Sequence, residues 1–314
     1  MTLLPYFAGA ALALAAAALS PEPTAQAKAL TPGTLSAQWN AGNDCANEPE
    51  FQIHAYNEDL FILRQSKCKT GEAPFLYLLM GTERALLLDT GATTDSSVRI
   101  VVGRLVARWS AAQGLPTVPL VVAHTHAHGD HTAGDAQFIG DAGVQAVVGT
   151  SLSAVQQFFG FQNWPIDQPT FDLGGGRILD VLAIPGHQAA SLAFYDRDTG
   201  ILLTGDSVYP GHLFIPQPAE FATFKESTKR LVDFAAANEV SHVLGTHIEY
   251  SDTPFQPYPW ATSVHPAERK LELNPDVLRR IYVGASQMGT TAQCQIFSDF
   301  VIHPLYACGI KWNG

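Results

Sequence analysis

The chain has 314 residues, which is enough for one large domain or two small ones. Hydrophobic residues make up 46% of it, so a sizeable core can form, whereas charged residues make up only 15%. The formal net charge of −11 argues against a nucleic-acid partner and against binding to an anionic membrane surface. The composition is that of a globular protein, and the acidity indicates nothing more specific.

The N-terminus is typical of a secretory signal peptide. An apolar run over Phe7–Leu19 is too short to span a bilayer comfortably, and Ala25-Gln-Ala27 follows as a small-x-small cleavage pattern. No Lys or Arg precedes the run, so an uncleaved anchor or a disordered tail is the alternative interpretation. We expect residues 1–27 to be a signal peptide, residues 28–314 to form the mature domain, and the product to be periplasmic or secreted.

The four cysteines fall into two local pairs, at Cys45 and Cys68 and at Cys294 and Cys308. Neither pair has the C-x-x-C spacing of a zinc knuckle or a redox site. We expect two disulfides within these pairs, each stapling a terminal segment, which agrees with export. Four free buried thiols are the alternative.

Strands and helices alternate along the chain. The clearest helix starts at Asp95 or Ser96 and carries apolar residues at helical spacing from Val98 to Trp109, and a second helix is expected over Ala222–Asn238. The predicted strands are Phe75–Met80, Ala85–Asp89, Val118–Ala123, Val144–Val148, Arg177–Ile184, Ser191–Tyr195, Ile201–Thr204 and Val240–Leu244. This alternation predicts an α/β or α+β fold with a sheet core.

The strand Val118–Ala123 runs directly into a histidine octet, residues 124–131, with the sequence His-Thr-His-Ala-His-Gly-Asp-His. The octet holds four of the eleven histidines, and Thr132–Asp135 beyond it is expected to open a helix. Functional residues in sheet proteins collect at such strand ends. The alternative is a surface tract that scavenges metal.

The spacing within the octet suits two adjacent metal ions. Residues two apart project to one side of an extended chain, so His126, His128 and Asp130 can converge on one point. Gly129 allows a sharp turn, after which His131 can reach a second point. Imidazole and carboxylate ligands grouped in this way are what a pair of divalent cations requires.

Three further candidate ligands follow apolar strands. His187, Asp206 and His247 each come shortly after a predicted strand and after a Gly or Pro-Gly. Such repetition favours a built metal site over a surface tract, because the octet alone would leave the coordination incomplete.

Together these residues resemble the metallo-β-lactamase superfamily. The resemblance rests on His126-x-His128-x-Asp130-His131, Gly186-His187, Gly205-Asp206 and Gly245-Thr-His247, and it covers about residues 55–250. It implies an αββα sandwich with two mixed sheets face to face and the metals at one edge. It also implies two metal sites, formed by His126, His128 and His187 and by Asp130, His131 and His247, with Asp206 bridging them. The C-terminal residues 251–314 are expected to pack on this domain as an extension.

The resemblance implies two zinc ions, although iron or manganese occurs in some members, and nitrogen and oxygen ligands suit all three metals. Two metals can lower the pKa of a shared water from ~15.7 towards ~7, and the resulting metal-bound hydroxide attacks a carbonyl or phosphorus centre. Asp130 can orient this nucleophile or receive its proton. Tyr209 has the spacing from Asp206 seen in quorum-signal lactonases, where the hydroxyl assists the ring-opening oxygen; a packing role is the alternative.

The predicted function is therefore an exported binuclear metal-dependent hydrolase of a small ester, lactone or amide-type carbonyl. The alternatives are a subclass B3-like β-lactamase, a mononuclear iron sulfur dioxygenase that would leave His131 and His247 idle, and a non-catalytic metal-binding envelope protein. Asp89-Thr-Gly91 also spells an aspartic-protease motif, but no second copy occurs, and the resemblance implies that Asp89 orders the ligand loop instead. Two aromatic runs, Phe158–Trp164 and Phe255–Trp260, are candidate walls of the substrate pocket or parts of the core.

Overall fold

The computed structural model describes residues 1–2, 29–259 and 262–309. Most of the predicted signal peptide, residues 3–27, lies outside the described residues, as does Trp260. Within the described ranges, no helix combines the length and the apolar character that a membrane crossing requires.

The described residues form fifteen strands and five α-helices. The strands are β1 Phe51–Ala55, β2 Leu60–Gln65, β3 Phe75–Met80, β4 Ala85–Leu88, β5 Leu120–Ala123, β6 Val144–Val147, β7 Thr170–Gly174, β8 Arg177–Ala183, β9 Leu192–Asp196, β10 Ile201–Gly205, β11 His212–Ile215, β12 His242–Gly245, β13 Glu272–Leu273, β14 Gln295–Ile296 and β15 Val301–Pro304. The helices are α1 Val98–Ala112, α2 Gly129–Thr132, α3 Leu152–Phe159, α4 Glu220–Ala237 and α5 Asp276–Gln287.

Two mixed six-stranded sheets form the body of the molecule. The first has the order β1-β2-β3-β4-β5-β6, in which β1 to β4 are antiparallel and the pairs β4–β5 and β5–β6 are parallel. The second has the order β13-β12-β10-β9-β8-β7, in which β10 and β12 are the parallel pair. A parallel neighbour requires a crossover, and α1 and α4 supply the crossovers before β5 and β12.

Alternate residues of a single strand belong to different layers of the hydrophobic core. In β4, Leu86 and Leu88 belong to the cluster buried between the two sheets, whereas Ala85 and Leu87 belong to the cluster beneath α1. This is the period-two geometry of a strand that is covered on both faces. The outer face of the second sheet packs against α4 and α5. The result is the predicted αββα sandwich.

The C-terminal part of the chain contacts the body through three elements. β13 lies at the edge of the second sheet, α5 packs on α4, and β15 pairs with β11 and β14 in a small third sheet. Both predicted disulfides, Cys45–Cys68 and Cys294–Cys308, are present. The second of them closes the segment that carries β14 and β15, so it staples the third sheet near its end.

Two expectations about the octet are wrong. Asp130 does not converge with His126 and His128 but lies beside His131, because the chain becomes helical at Gly129. Thr132–Asp135 does not open a helix; instead the short helix α2 begins inside the octet at Gly129 and ends at Thr132, and a 3₁₀ turn follows at Asp135–Gln137. The turn at Gly129 also does not depend on glycine's conformational freedom, because Gly129 is helical without a positive φ, and a Cβ added there would meet no atom within 4 Å. The chain therefore turns by entering a helix directly after the extended residue His128.

Candidate metal centre

Four strand ends of the two sheets deliver the predicted ligands to one edge of the sandwich. The octet follows β5, His187 follows β8, Asp206 follows β10, and His247 follows β12. Seven side chains meet there in two groups, and in each group the ligand atoms lie within 4.8 Å of one another: His126, His128 and His187, and Asp130, His131, Asp206 and His247. All seven predicted ligands are thus brought together.

The first cluster consists of His126, His128 and His187. The Nε2 atoms of His126 and His187 each lie 3.0 Å from Nδ1 of His128. Burial lowers the pKa of all three imidazoles, that of His187 to about 4. Three neutral imidazoles therefore point ring nitrogens at one another, and a divalent cation is the partner that such converging lone pairs fit.

The second cluster consists of Asp130, His131 and His247. Oδ2 of Asp130 lies 3.1 Å from Nε2 of His131 and 3.3 Å from Nε2 of His247. Burial lowers the pKa of both histidines, but the carboxylates of Asp130 and Asp206 outweigh it and raise both pKa values well above the usual range. Positive charge is therefore favoured at this position, which fits a cation.

Asp206 lies between the clusters and offers one oxygen to each. Oδ1 lies 3.3 Å from Nε2 of His247 and 3.5 Å from Nε2 of His131. Oδ2 lies 3.7 Å from Nε2 of His187 and 3.8 Å from Nε2 of His126. Burial opposes the ionisation of Asp206, but the charges of the surrounding histidines hold its pKa well below the usual range. The ionised form of Asp206 is therefore favoured, and its carboxylate lies between the two clusters.

Hydrogen bonds on the far side of the rings orient the ligands. Nδ1 of His187 lies 3.2 Å from the carbonyl oxygen of Phe214, and Nδ1 of His247 lies 2.9 Å from that of Glu72. Each bond places the proton on Nδ1 and leaves Nε2 free to face the cluster. The sequence contains no local pattern that would identify Phe214 or Glu72 as these acceptors.

Asp89 orders the octet. Its Oδ1 accepts the backbone N–H of Thr125 at 2.8 Å, and its Oδ2 accepts the hydroxyl of Thr125 at 2.8 Å and lies 2.9 Å from Nδ1 of His131. Asp89 itself adopts φ +68°, an uncommon conformation for a residue other than glycine. Its geometry matches the structural role expected of the Asp-Thr-Gly motif and leaves its carboxylate fully engaged.

His124, the fourth histidine of the octet, belongs to neither cluster. Its Nε2 lies 2.9 Å from Oδ1 of Asp135, and the same oxygen accepts the hydroxyl of Thr90 at 2.8 Å. His124 therefore ties the start of the octet to the 3₁₀ turn that follows it.

An open cavity of about 290 Å³ lies over the two clusters. Its lining includes candidate ligands from both clusters and five residues outside them: Glu72, Gly129, Tyr209, Phe214 and Glu249. The cavity is large enough for a small molecule or for the reacting end of a longer one.

The family model of the metallo-beta-lactamase superfamily matches residues 70–278, which is well over half of the chain and includes every candidate ligand. The chain belongs to the metallo-β-lactamase superfamily. It is similar to the acyl-coenzyme A thioesterase MBLAC2 of Bos taurus, with 26% identity over 227 residues, 63% of this chain and 81% of the relative. The human protein of the same name is 25% identical over the same shares.

Among solved structures, the chain is similar to a metallo-beta-lactamase from Pontibacter korlensis, with a TM-score of 0.49 and 17% identity over 75% of this chain and 99% of the other. A metallo-beta-lactamase from Erythrobacter litoralis gives a TM-score of 0.48 and 18% identity over 77% and 98%. The family membership and the similarity to these thioesterases together show that this metallo-β-lactamase superfamily member is a metal-dependent hydrolase.

Tyr209 is buried beside this metallo-β-lactamase site, and its hydroxyl is already engaged. The hydroxyl oxygen lies 2.5 Å from the carbonyl oxygen of His212 and 2.7 Å from Oε2 of Glu249. Burial and the neighbouring Glu249 raise its pKa well above the usual range, so it stays a protonated donor. Assistance to a leaving group remains a prediction, and it requires the hydroxyl to exchange one of these acceptors for substrate.

The described residues of the two aromatic runs do not line the cavity. Phe159 and Phe161 are buried in the core between the sheets, and Phe255 is 62% exposed. The aromatic walls of the cavity are Tyr209 and Phe214 instead. Sequence reasoning missed Phe214, Glu72 and Glu249, although the position of Glu249 two residues after a candidate ligand was an available signal.

Proposed function

We propose that this hydrolase is an exported enzyme that holds two divalent cations and cleaves a small ester-type carbonyl compound, a thioester, ester or lactone. The observation that carries the proposal is the position of Asp206, whose two oxygens face different histidine clusters. A carboxylate that serves both clusters is suited to a dinuclear centre rather than to a single metal with idle neighbours.

We assign the first metal to His126, His128 and His187, the second to Asp130, His131 and His247, and the bridging position to Asp206. This donor set contains nitrogen and oxygen but no thiolate, so zinc, iron and manganese all fit it, and we propose zinc as the usual metal of the resemblance. When bound, such a pair of cations supplies Lewis acidity and lowers the pKa of water towards neutrality.

The chain's own residues then position the reactants. Oδ2 of Asp130 faces the second cluster, and because Asp130 also lines the cavity, its other oxygen is available to orient a water molecule or to take its proton. The contacts behind His187, His131 and His247 hold these three rings in place. Tyr209 is the candidate donor to the leaving oxygen or sulfur atom.

Two considerations support an acyl substrate and export. The curated relatives are named acyl-coenzyme A thioesterases, and a thioester shares its attacked carbonyl with esters and lactones. The two disulfides are consistent with an oxidising compartment, as the signal-like N-terminus predicts.

The test combines a metal count with a substrate panel on the purified protein. We expect two metal ions per chain by elemental analysis, and turnover of an acyl thioester, an aryl ester or a lactone that is abolished by chelation and restored by metal. Nitrocefin and a bis-aryl phosphodiester complete the panel. One iron per chain with no turnover of any acyl compound would contradict the proposal, and preferred turnover of nitrocefin would replace it with a β-lactamase.

A further inference from the structure

The walls of the cavity above the candidate metal centre are acidic. Besides the candidate ligands, Glu72 and Glu249 line it, and no Lys or Arg is among its lining residues in the described part of the chain. A cavity built in this way offers no partner for an anionic group of a substrate, other than the metals themselves.

Glu249 is held in one orientation with half of its carboxylate free. Its Oε2 lies 2.7 Å from the hydroxyl of Tyr209 and accepts the backbone N–H of His212 at 3.1 Å. Its Oε1 makes no hydrogen bond to any residue of the described ranges, and it is not enclosed in the protein. Glu249 is therefore a fixed acceptor with one oxygen open to the cavity.

Glu72 adds a second carboxyl group to the wall of the cavity. Its backbone carbonyl is engaged by His247, but its carboxylate has no hydrogen bond or ion pair with the described residues. Lys67 acts on both glutamates, but it is 5% exposed, donates to the carbonyl oxygen of Gly71 at 2.7 Å and does not line the cavity. Apart from the candidate ligand His247, which acts on Glu72, the two carboxylates therefore have no cationic side chain beside them in the lining of the cavity.

A partly buried carboxylate is stabilised when a cationic donor reaches it, and a like charge placed beside it is repelled. We propose that Glu249, supported by Glu72, is a specificity-determining residue that binds a protonated amine of the substrate. The preferred substrate class is then an ester, thioester or lactone that carries an ammonium group close to the scissile carbonyl. This inference rests on the proposed function, since it names the substrates of the same site.

Three p-nitrophenyl esters test the preference at a pH where the amine is protonated: the glycine and propionate esters, whose acyl groups are nearly equal in size, and the larger, anionic hydrogen-malonate ester. After division by each ester's uncatalysed rate, we expect kcat/KM for the glycine ester to exceed that for the propionate ester roughly tenfold or more, as for a hydrogen bond to a charged group. The malonate ester is expected to rank last. Equal values for the glycine and propionate esters, or a higher value for propionate, would overturn the inference.

Glu249→Gln keeps the size of the side chain and an acceptor for Tyr209 but removes the charge. We expect the glycine-to-propionate ratio to fall about tenfold or more in this variant and by a smaller factor in Glu72→Gln. Glu83→Gln, at an exposed turn between β3 and β4, is the matched control and keeps the wild-type ratio. A ratio unchanged in Glu249→Gln would overturn the assignment.

Binding to the holoenzyme separates this inference from the proposed function. By calorimetry, we expect propylammonium to bind more tightly than 1-propanol, and Glu249→Gln to remove the difference. If no ester is hydrolysed but this difference is found, the proposed function fails and the cation site stands. If esters are hydrolysed and the two probes bind equally to wild type and variant, the function stands and the inference fails.

Discussion

The metal cluster and the cavity wall are built from different kinds of sequence information. Every candidate ligand lies in a short motif at the end of a strand, so local spacing is enough to group the ligands. The wall residues Glu72 and Glu249 come from two loops and Phe214 from the strand β11, without a common motif, and only the folded chain brings them together. The comparison separates two properties of the enzyme: the motif sets the chemistry, whereas the scattered wall sets the choice of substrate.

The largest effect is expected from Asp206→Asn, which removes the bridging charge. Because Asp206 contacts both clusters, we expect kcat/KM to fall at least about 100-fold for every substrate of the panel, with their ranking unchanged. Asp95→Asn, in the exposed turn before α1, is the control and should behave as wild type. A selective loss for one substrate would mean that Asp206 also acts in substrate recognition. The ligands and the wall residues would then not have separate roles.

A smaller loss is expected from Asp89→Asn, because Asp89 touches the ligands without being one. The variant weakens the acceptor behind Nδ1 of His131, and we expect metal affinity at the second cluster to fall roughly 10- to 100-fold. Competition with a chromophoric chelator measures this directly, again with Asp95→Asn as control. Unchanged affinity at both clusters would show that the hydrogen bond does not tune the metal.

How much of the fold and of the site could be predicted from the sequence depends on how far apart in the chain the interacting residues lie. The grouping of the octet's ligands and the strand β4 follow from local spacing and periodicity. The predicted strand Ala85–Asp89 differs from β4 by one residue. The strand β2 was missed because it ends in the polar pair Arg64 and Gln65, which are buried all the same. Arg64 is buried by a bidentate ion pair with Glu268, 204 residues away, and no local pattern predicts that partner.

The two disulfides are expected to contribute similarly to the free energy of unfolding. Replacing either cysteine pair with serine is expected to lower the free energy of unfolding by about 3 kcal/mol, since the closed segments differ little in length. Denaturant unfolding measures this loss for each pair, and an unchanged free energy of unfolding in either variant would contradict the expectation.

The smallest effect concerns pH and lies outside the metal cluster. Burial, together with the charge of His212, lowers the pKa of His303 to about 4. A histidine whose pKa is lowered in the folded state does not reduce the free energy of unfolding above its unfolded pKa. The free energy of unfolding decreases as the pH falls from ~6.5 towards 4, because the unfolded state then binds a proton that the folded state does not. We expect His303→Asn to flatten this decline by roughly 2 kcal/mol or less relative to wild type. Parallel stability curves for the two proteins over this range would contradict the shift.

The central claim is a dinuclear centre shared through Asp206, and anomalous diffraction from crystals of the metal-loaded protein tests it most directly. We expect two metal peaks, one among His126, His128 and His187 and the other among Asp130, His131 and His247, with Asp206 contacting both. A single peak at the three histidines of the first cluster, with His131 and His247 making no contact to metal, would contradict it.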